Sequence, residues 1–217
     1  GYLNSVSQVF DIFKLGDDSI GFSMDIFIDA KPMDKIINDD IQVNNMTKFI
    51  IEIILQICAM SSCLSDLIGM NHRDLRPSNI MITPRDKSVI IPINVGAKSI
   101  NITSSYIVSY VDFGFSCIGD IKTGISHLQI GQVYTNSDPC PKDGRDMFMF
   151  LSFLYSQLYS KFHNISTVKS YFEKWLENDI TGILNKLEKM GSDFDKWIYF
   201  ITGNEKIKRF NCTPDVI

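Results

Sequence analysis

Asp74 and Asn79 stand five residues apart in the run His72-Arg73-Asp74-Leu75-Arg76-Pro77-Ser78-Asn79. Asp112 opens a second short run, Asp112-Phe113-Gly114. Each run comes after an apolar segment, so each is expected on a loop at the end of a regular element. Asp74 is a carboxylate on a short polar loop, suited to orient a hydroxyl group and take its proton. Asn79, just before the apolar residues 80–82, offers an amide oxygen to a hard cation, and Asp112 offers a carboxylate at a neighbouring strand end. Mg²⁺ prefers such oxygen ligands, takes one or two from the protein and fills the rest with phosphate and water. Arg76 brings positive charge to the place where a phosphate would lie. A proton acceptor, charge neutralisation and a held nucleophile are what phosphoryl transfer to a hydroxyl needs.

These residues need elements to hold them. Residues 7–15 and 20–28 are rich in Val, Ile and Phe and are separated by Gly16-Asp17-Asp18-Ser19, which predicts a β-hairpin. Lys31-Pro32 breaks the second strand, and a short helix is expected over 33–38. Over 46–68, Phe49, Ile50, Ile53, Ile54, Ile57 and Met60 recur at steps of three and four, which predicts a long helix ended by Gly69. Ile51, Leu55 and Cys58 make it apolar nearly all round, so it belongs at the centre of a fold. Residues 80–82 and 106–111 read as short strands. Between them, 84–105 is ambiguous and is compatible with a hairpin excursion. Residues 115–141, with three glycines and two prolines, read as a long irregular segment of the functional kind. From Asp143 onward the spacing is helical, with apolar faces at 147–158, 168–176, 180–187 and 194–201. The second of these faces takes in Val168, Tyr171, Phe172, Trp175 and Leu176. Strands first and helices after predict an α+β class with a mostly helical C-terminal body.

Composition narrows the field. The 217 residues are 45% hydrophobic and 21% charged, which excludes a disordered chain. A net charge of −4 argues against a nucleic-acid or anionic-membrane binder, and the short basic runs at 186–189 and 206–209 read as solvated helix faces. The apolar run 49–60 is too short for a bilayer and contains Glu52 and Gln56, so it reads as a buried helix. Five cysteines without a C-x-x-C pair argue against a structural zinc site and against a dense disulfide framework, and reduced, mostly buried thiols are expected. The sequons at Asn45, Asn101, Asn164 and Asn211 are ascribed to chance in an Asn-rich chain. His127 and His163 have no convergent partners and are expected at the surface. Gly1 rather than Met opens the chain and Ile217 closes it, so a piece of a longer protein is expected.

The two chemical runs match H-R-D-L-x-x-x-N and D-F-G, the catalytic-loop and metal-binding signatures of protein kinases. The chain resembles the catalytic C-lobe of a eukaryotic-type protein kinase, divergent and similar in its Ile/Asn-rich wording to kinases of large DNA viruses. The resemblance implies a protein-kinase-like α+β fold. Residues 1–30 would be the last N-lobe strands and the hinge, and 31–217 the helical C-lobe. The activation segment would run over 112–142, with an insertion at about 84–105. It implies ATP and Mg²⁺ as cofactors and a protein substrate phosphorylated on Ser or Thr, with no nucleic acid or membrane as partner, in the cytoplasm of the cell or of a viral host. Asp74 would be the catalytic base, Asn79 and Asp112 the Mg²⁺ ligands, and Arg76 a phosphate-facing cation. Met24, Asp25 and Phe27 would belong to the gatekeeper and hinge, and Met81 would lie under the adenine. His72 and Phe113 would join a packed spine, followed by Gly114 of the metal-binding run. Arg73 would pair with an acidic or phosphorylated group, and Asp146 would anchor the backbone of the catalytic loop.

The family's glycine-rich loop, phosphate-pairing lysine and its glutamate lie upstream of the part matched here, so the isolated chain is expected to be poorly active. The A-P-E motif is absent, and Asn211 replaces a customary arginine near the last helix. Two other readings stay open: a pseudokinase acting as a binding scaffold, and a small-molecule kinase of the aminoglycoside or choline type. Arg73 argues against the second, whose members carry H-G-D at this place.

Overall fold

The computed structural model describes residues 9–14, 20–24, 26–38, 45–119 and 140–176, with short stretches at 124, 126, 128–129, 189–190, 193, 196, 198, 212–215 and 217. Strands β1 (Val9–Lys14) and β2 (Ile20–Met24) form an antiparallel ribbon of their own, with Lys14 opposite Ile20. The second strand stops at Met24, short of the expected residue 28. Ile26 and Ile28 beyond it are 85% and 75% exposed, so no apolar face holds them in a sheet. The Gly16–Ser19 turn lies outside the described residues.

Strand β3 (Lys31–Pro32) leads directly into helix α1 (Met33–Asn38), whose Met33, Ile36 and Ile37 are buried. Helix α2 (Met46–Ile68) begins at Asn45, whose side-chain oxygen accepts the Lys48 amide at 2.9 Å, a normal N-cap. It ends at Gly69, whose left-handed backbone (φ 59°) turns the chain while the Gly69 and Met70 amides close on Ser65 and Leu64 carbonyls. Phe49, Ile50, Ile53, Ile54 and Ile57 are at most 1% exposed. Full burial of such side chains stabilises by roughly 1.5–3 kcal/mol each before chain entropy is counted. By length and composition α2 would suffice to cross a bilayer, but it packs against β-strands, α3 and α4.

The middle of the chain takes up the hairpin that the sequence reading left open over 84–105, and it is longer than the short strands expected on either side. The short strands expected at 80–82 and 106–111 are the base of one long hairpin, β4 (Ile80–Val95) and β5 (Lys98–Tyr110), joined by a two-residue turn at Gly96-Ala97. The presumed insertion is thus continuous sheet, and the expected order of strands first and helices after is broken by it. Strand β4 accommodates two prolines. Pro84 sits at the edge of a register shift that runs to Val89, and Pro92 lies where β4 has no strand on its other side among the described residues. Alternation places Ile91, Ile93 and Val95 on the inner face, with Ile93 and Val95 buried. β3 pairs with the base of β4, Pro32 opposite Met81, completing a three-stranded antiparallel sheet.

The polar residues of α2 dock this hairpin. Gln56 donates to the Tyr106 carbonyl (3.2 Å) and accepts from the Val108 amide (3.2 Å). Buried Glu52 accepts the Ser104 hydroxyl at 2.8 Å.

Beyond the hairpin, β6 (Cys117–Ile118) and β7 (Leu128–Gln129) form a two-residue ladder inside the segment expected to be irregular. Helix α3 (Arg145–Leu158) is buried on nearly every side, and a single 3-10 turn (Tyr159–Lys161) follows it. Helix α4 (Ser166–Trp175) buries Val168 and Phe172. Tyr171, expected on that buried face, is 42% exposed and stacks on Trp175 at 5.6 Å. His163 is exposed. The helical faces expected at 180–187 and 194–201, His127 and Asn211 fall largely or wholly outside the described residues.

The thiols also differ from expectation. Cys117 and Cys140 form a disulfide with Cα atoms 6.1 Å apart. Cysteine spacing gave no sign of it, because the two meet through the path of the chain across 23 residues, not through a local motif. Cys58, Cys63 and Cys212 remain thiols.

Candidate active site

The 72–79 loop leaves α2 at Gly69 and reaches β4 through a single 3-10 turn, Pro77–Asn79. Leu75 and Pro77 are buried beneath it and fix its path. Its other support is Asp146 in the first turn of α3. The two carboxylate oxygens accept the backbone amides of His72 (2.7 Å) and Arg73 (2.9 Å). Hydrogen bonds to a charged acceptor are about twice as strong as neutral ones. They hold Arg73 at a positive φ of 64°, an uncommon conformation for a side-chain-bearing residue that costs on the order of 1 kcal/mol or more. Such strain persists only where the surroundings dictate it, and it concentrates at functional loops.

Asp74 is 2% exposed. The Asn79 side-chain amide donates both to the Asp74 carbonyl and to its carboxylate Oδ2, each at 2.9 Å. The Arg76 Nε lies 3.4 Å from the other carboxylate oxygen, Oδ1. The carboxylate is thereby oriented by one amide and one guanidinium. Because Asn79 spends its N–H groups on Asp74, its Oδ1 is the atom left for a cation.

Asp112 follows directly on β5. Ile80 pairs with Tyr110, and the Val111 amide donates to the Asn79 carbonyl at 3.1 Å, so Asn79 and Asp112 emerge side by side from adjacent strands. Asp112 is exposed and, like Arg73, has a positive φ, 61°. Its Oδ1 faces the Gly114 amide at 3.4 Å, and a Cβ on Gly114 would meet that oxygen at 3.2 Å. Glycine there lets the carboxylate turn back over its own loop.

His72 ties the two runs together. Its Nε2 lies 3.0 Å from the Val111 carbonyl, and its ring lies against Phe113 (4.9 Å) and edge-on to Tyr110 (5.8 Å). Tyr110 is fully buried, donates to the Ile57 carbonyl at 3.0 Å and shares a 2.9 Å hydrogen bond with Ser61. Burial pushes its phenol well above the usual range, partly offset by the Ser61 bond.

A family model described as poxvirus serine/threonine protein kinase matches residues 20–186, which contain both runs, the hairpin, α3 and α4. The chain belongs to that family. No curated protein is significantly similar to it. In this member of the family, the structure brings Asp74, Arg76 and Asn79 into direct contact and sets Asp112, His72, Phe113, Gly114 and Asp146 around them. Met81 lies on β4 two residues past Asn79, half-buried and opposite Ser109. Met24 ends β2 at 38% exposure, and half-buried Phe27 accepts the Ala30 amide in a turn. Both belong to the separate β1–β2 end of the chain, and Asp25 lies outside the described residues.

Among the described residues, no three or more His, Cys, Asp or Glu side chains gather for a metal. The donor set at Asn79 and Asp112, one amide oxygen and one carboxylate, suits Mg²⁺, which needs few protein ligands, better than a metal that demands a full protein cage.

Sequence reasoning overlooked Asn71. Its backbone exchanges two hydrogen bonds with Cys117 (2.9 and 3.1 Å), and its side-chain oxygen accepts the Lys142 amide at 2.7 Å. Nothing in the run of sequence marks it, because both partners, Cys117 and Lys142, are distant in the chain. A polar groove of about 340 Å³ opens on the Arg76 side of the loop, lined by Asp34, Ser78, Phe153 and Gln157 among others. A larger cavity of about 530 Å³ lies behind the loop, between α2, the hairpin tip and the start of α3.

Proposed function

We propose that this chain is the catalytic C-lobe region of an ATP-dependent protein kinase with a protein-kinase-like fold, acting on Ser or Thr hydroxyls of a protein substrate. The observation that carries the reading is the contact set around Asp74. A nearly inaccessible carboxylate is oriented by Asn79 and Arg76, on a loop pinned by Asp146, beside a second carboxylate at Asp112.

In this reading Asp74 accepts a hydrogen bond from the substrate hydroxyl, aligns its oxygen and takes its proton as the new P–O bond forms. Asn79 keeps the Asp74 carboxylate in that orientation, and its own oxygen together with the Asp112 carboxylate would hold Mg²⁺. The metal would supply charge neutralisation on the phosphates of ATP, which carries the transferable group. Arg76 adds positive charge on the acceptor side. His72 and Phe113 keep the two runs in fixed relation.

The test is γ-phosphate transfer from labelled ATP with Mg²⁺, using the full-length protein beside its Asp74→Asn variant. A general base contributes about 10²–10⁴-fold, so transfer in the variant should fall by at least about 10². Equal transfer by the variant, or none by the parent to any protein acceptor, would replace this reading with that of a binding scaffold.

A further inference from the structure

Two cysteines that the catalytic reading does not use meet at the root of the 72–79 loop. Cys117 is the third residue after Gly114, and its backbone is laddered to Asn71, immediately before His72. Cys140 lies on the approach to α3, six residues before Asp146, with its sulfur 3.4 Å from the Gly69 carbonyl at the end of α2. Asn71 also receives the Lys142 amide. The Cys117–Cys140 bond therefore joins the segment leaving Asp112 to the segment entering α3, at the point where α2 hands over to the loop.

The two sulfurs differ in access. Cys117 is 1% exposed and Cys140 half-buried, so a reagent reaches the Cys140 sulfur first. Of the other thiols, Cys63 is half-buried like Cys140 but has no cysteine partner, and the remaining two are shielded. Cys58 and Cys212 are buried, and burial pushes the Cys58 thiol far up, away from its reactive thiolate form.

We propose that Cys117 and Cys140 are a reversible thiol–disulfide site that fastens the segment beyond Asp112 to the root of the loop. A small thiol such as glutathione opens it. Its thiolate attacks Cys140 Sγ, the S–S bond breaks, and Cys117 leaves as a thiolate with the electron pair and takes up a proton. A second glutathione thiolate then attacks the mixed disulfide and releases Cys140, which is also protonated. One protein disulfide and two glutathione thiols thus give two cysteine thiols and one glutathione disulfide, a two-electron exchange. Glutathione disulfide drives the reverse. Once opened, the Cys140 thiol has the Gly69 carbonyl as a ready acceptor, while the Cys117 backbone keeps its two hydrogen bonds to Asn71 and its pairing with Gln129. The consequence for phosphoryl transfer rests on the kinase reading: the fastened form is the faster one, because Asp112 is steadied from both ends of its segment.

The full-length protein is equilibrated in glutathione buffers from fully reducing to fully oxidising, then acid-quenched, alkylated and mapped by mass. The same samples are assayed for phosphoryl transfer and for proteolytic cleavage between residues 117 and 140. Cys117 and Cys140 should lose alkylation together, as linked peptides, while Cys63 stays alkylated. Cleavage should slow and transfer should rise at least threefold in the linked form. Cys140→Ser should match the reduced parent in every buffer, and Cys63→Ser should respond like the parent. Because the parent itself is titrated, the test stands even where a variant fails to fold. Alkylation of both cysteines at every poise, cleavage indifferent to the link, or equal transfer in the two states of an active protein would overturn the proposal. Redox-dependent cleavage in a protein that transfers no phosphate in either state would uphold the thiol site and count against the kinase reading.

Discussion

At the scale of single residues, Asp146 decides more than its distance from Asp74 suggests. Its two oxygens satisfy two successive amides that no helix or sheet could serve, and they hold Arg73 in its left-handed conformation. Asp146→Asn keeps one acceptor but turns an NH₂ group against an N–H donor. Hydrogen bonds to charged groups are worth about 1.5–3 kcal/mol, so urea unfolding should show a loss of about 2–3 kcal/mol. On the proposed kinase reading, the maximal rate of transfer should drop with little change in ATP affinity, since Asp146 bonds the backbone of the loop. An unfolding midpoint equal to the parent's would refute this account of the loop. Asp74, Asn79 and Asp112 were named from sequence because their runs match the signatures of a known family, and their residue types suit the chemistry that the resemblance implies. The clasp between Asn79 and Asp74 is also local, across five residues.

At the scale of elements, α2 and the β4–β5 hairpin are one unit. An apolar helix would pack against any apolar sheet face. Gln56 and Glu52 make the match specific by bonding Tyr106, Val108 and Ser104 of β5. A slip of one residue along β5 would turn its inner side chains outward and move Asp112 away from Asn79. Gln56→Ala leaves a buried amide at Val108 and a carbonyl at Tyr106 without that partner. Such vacancies cost about 1–3 kcal/mol. The Val108 amide should then exchange with deuterium markedly faster than in the parent, while amides in α3 keep their protection. Unchanged exchange at Val108 would mean that β4 alone sets the register. Periodicity in the sequence found α2 and its glycine stop, yet it treated Glu52 and Gln56 only as interruptions of an apolar run. It left 84–105 ambiguous between a hairpin excursion and an insertion, because pairing across the two strands is not written in either strand alone.

At the scale of the whole molecule, the core carries acidic protons that folding locks in place, those of Tyr110 and Cys58 among them. Tyr110 and Cys58 are both buried, and burial raises both groups. In the unfolded chain they ionise near their ordinary values, about 10 for tyrosine and 8.5 for cysteine. Below about pH 8.5 both states hold these protons, and the full stability is present. Above it the unfolded state releases protons that the folded state keeps, so stability must fall as pH rises. Denaturant titrations between pH 7 and 11 should show a decline that steepens near pH 10, and Tyr110→Phe should flatten the steeper part. A parent whose stability is level across that range would contradict the buried, protonated phenol.

The sequence by itself determined the local chemistry: the two catalytic-type runs, the long apolar helix with its cap and its stop, and the short helix after Pro32. Each depends on neighbours within a few residues, so composition and spacing carry it. Tertiary structure decided the continuity of the hairpin, the pairing of Cys117 with Cys140, the bridging position of Asn71 and the exposure of Tyr171. Each of these depends on residues tens of positions apart meeting in space. No local periodicity encodes such meetings, because they are fixed by which buried faces pack together.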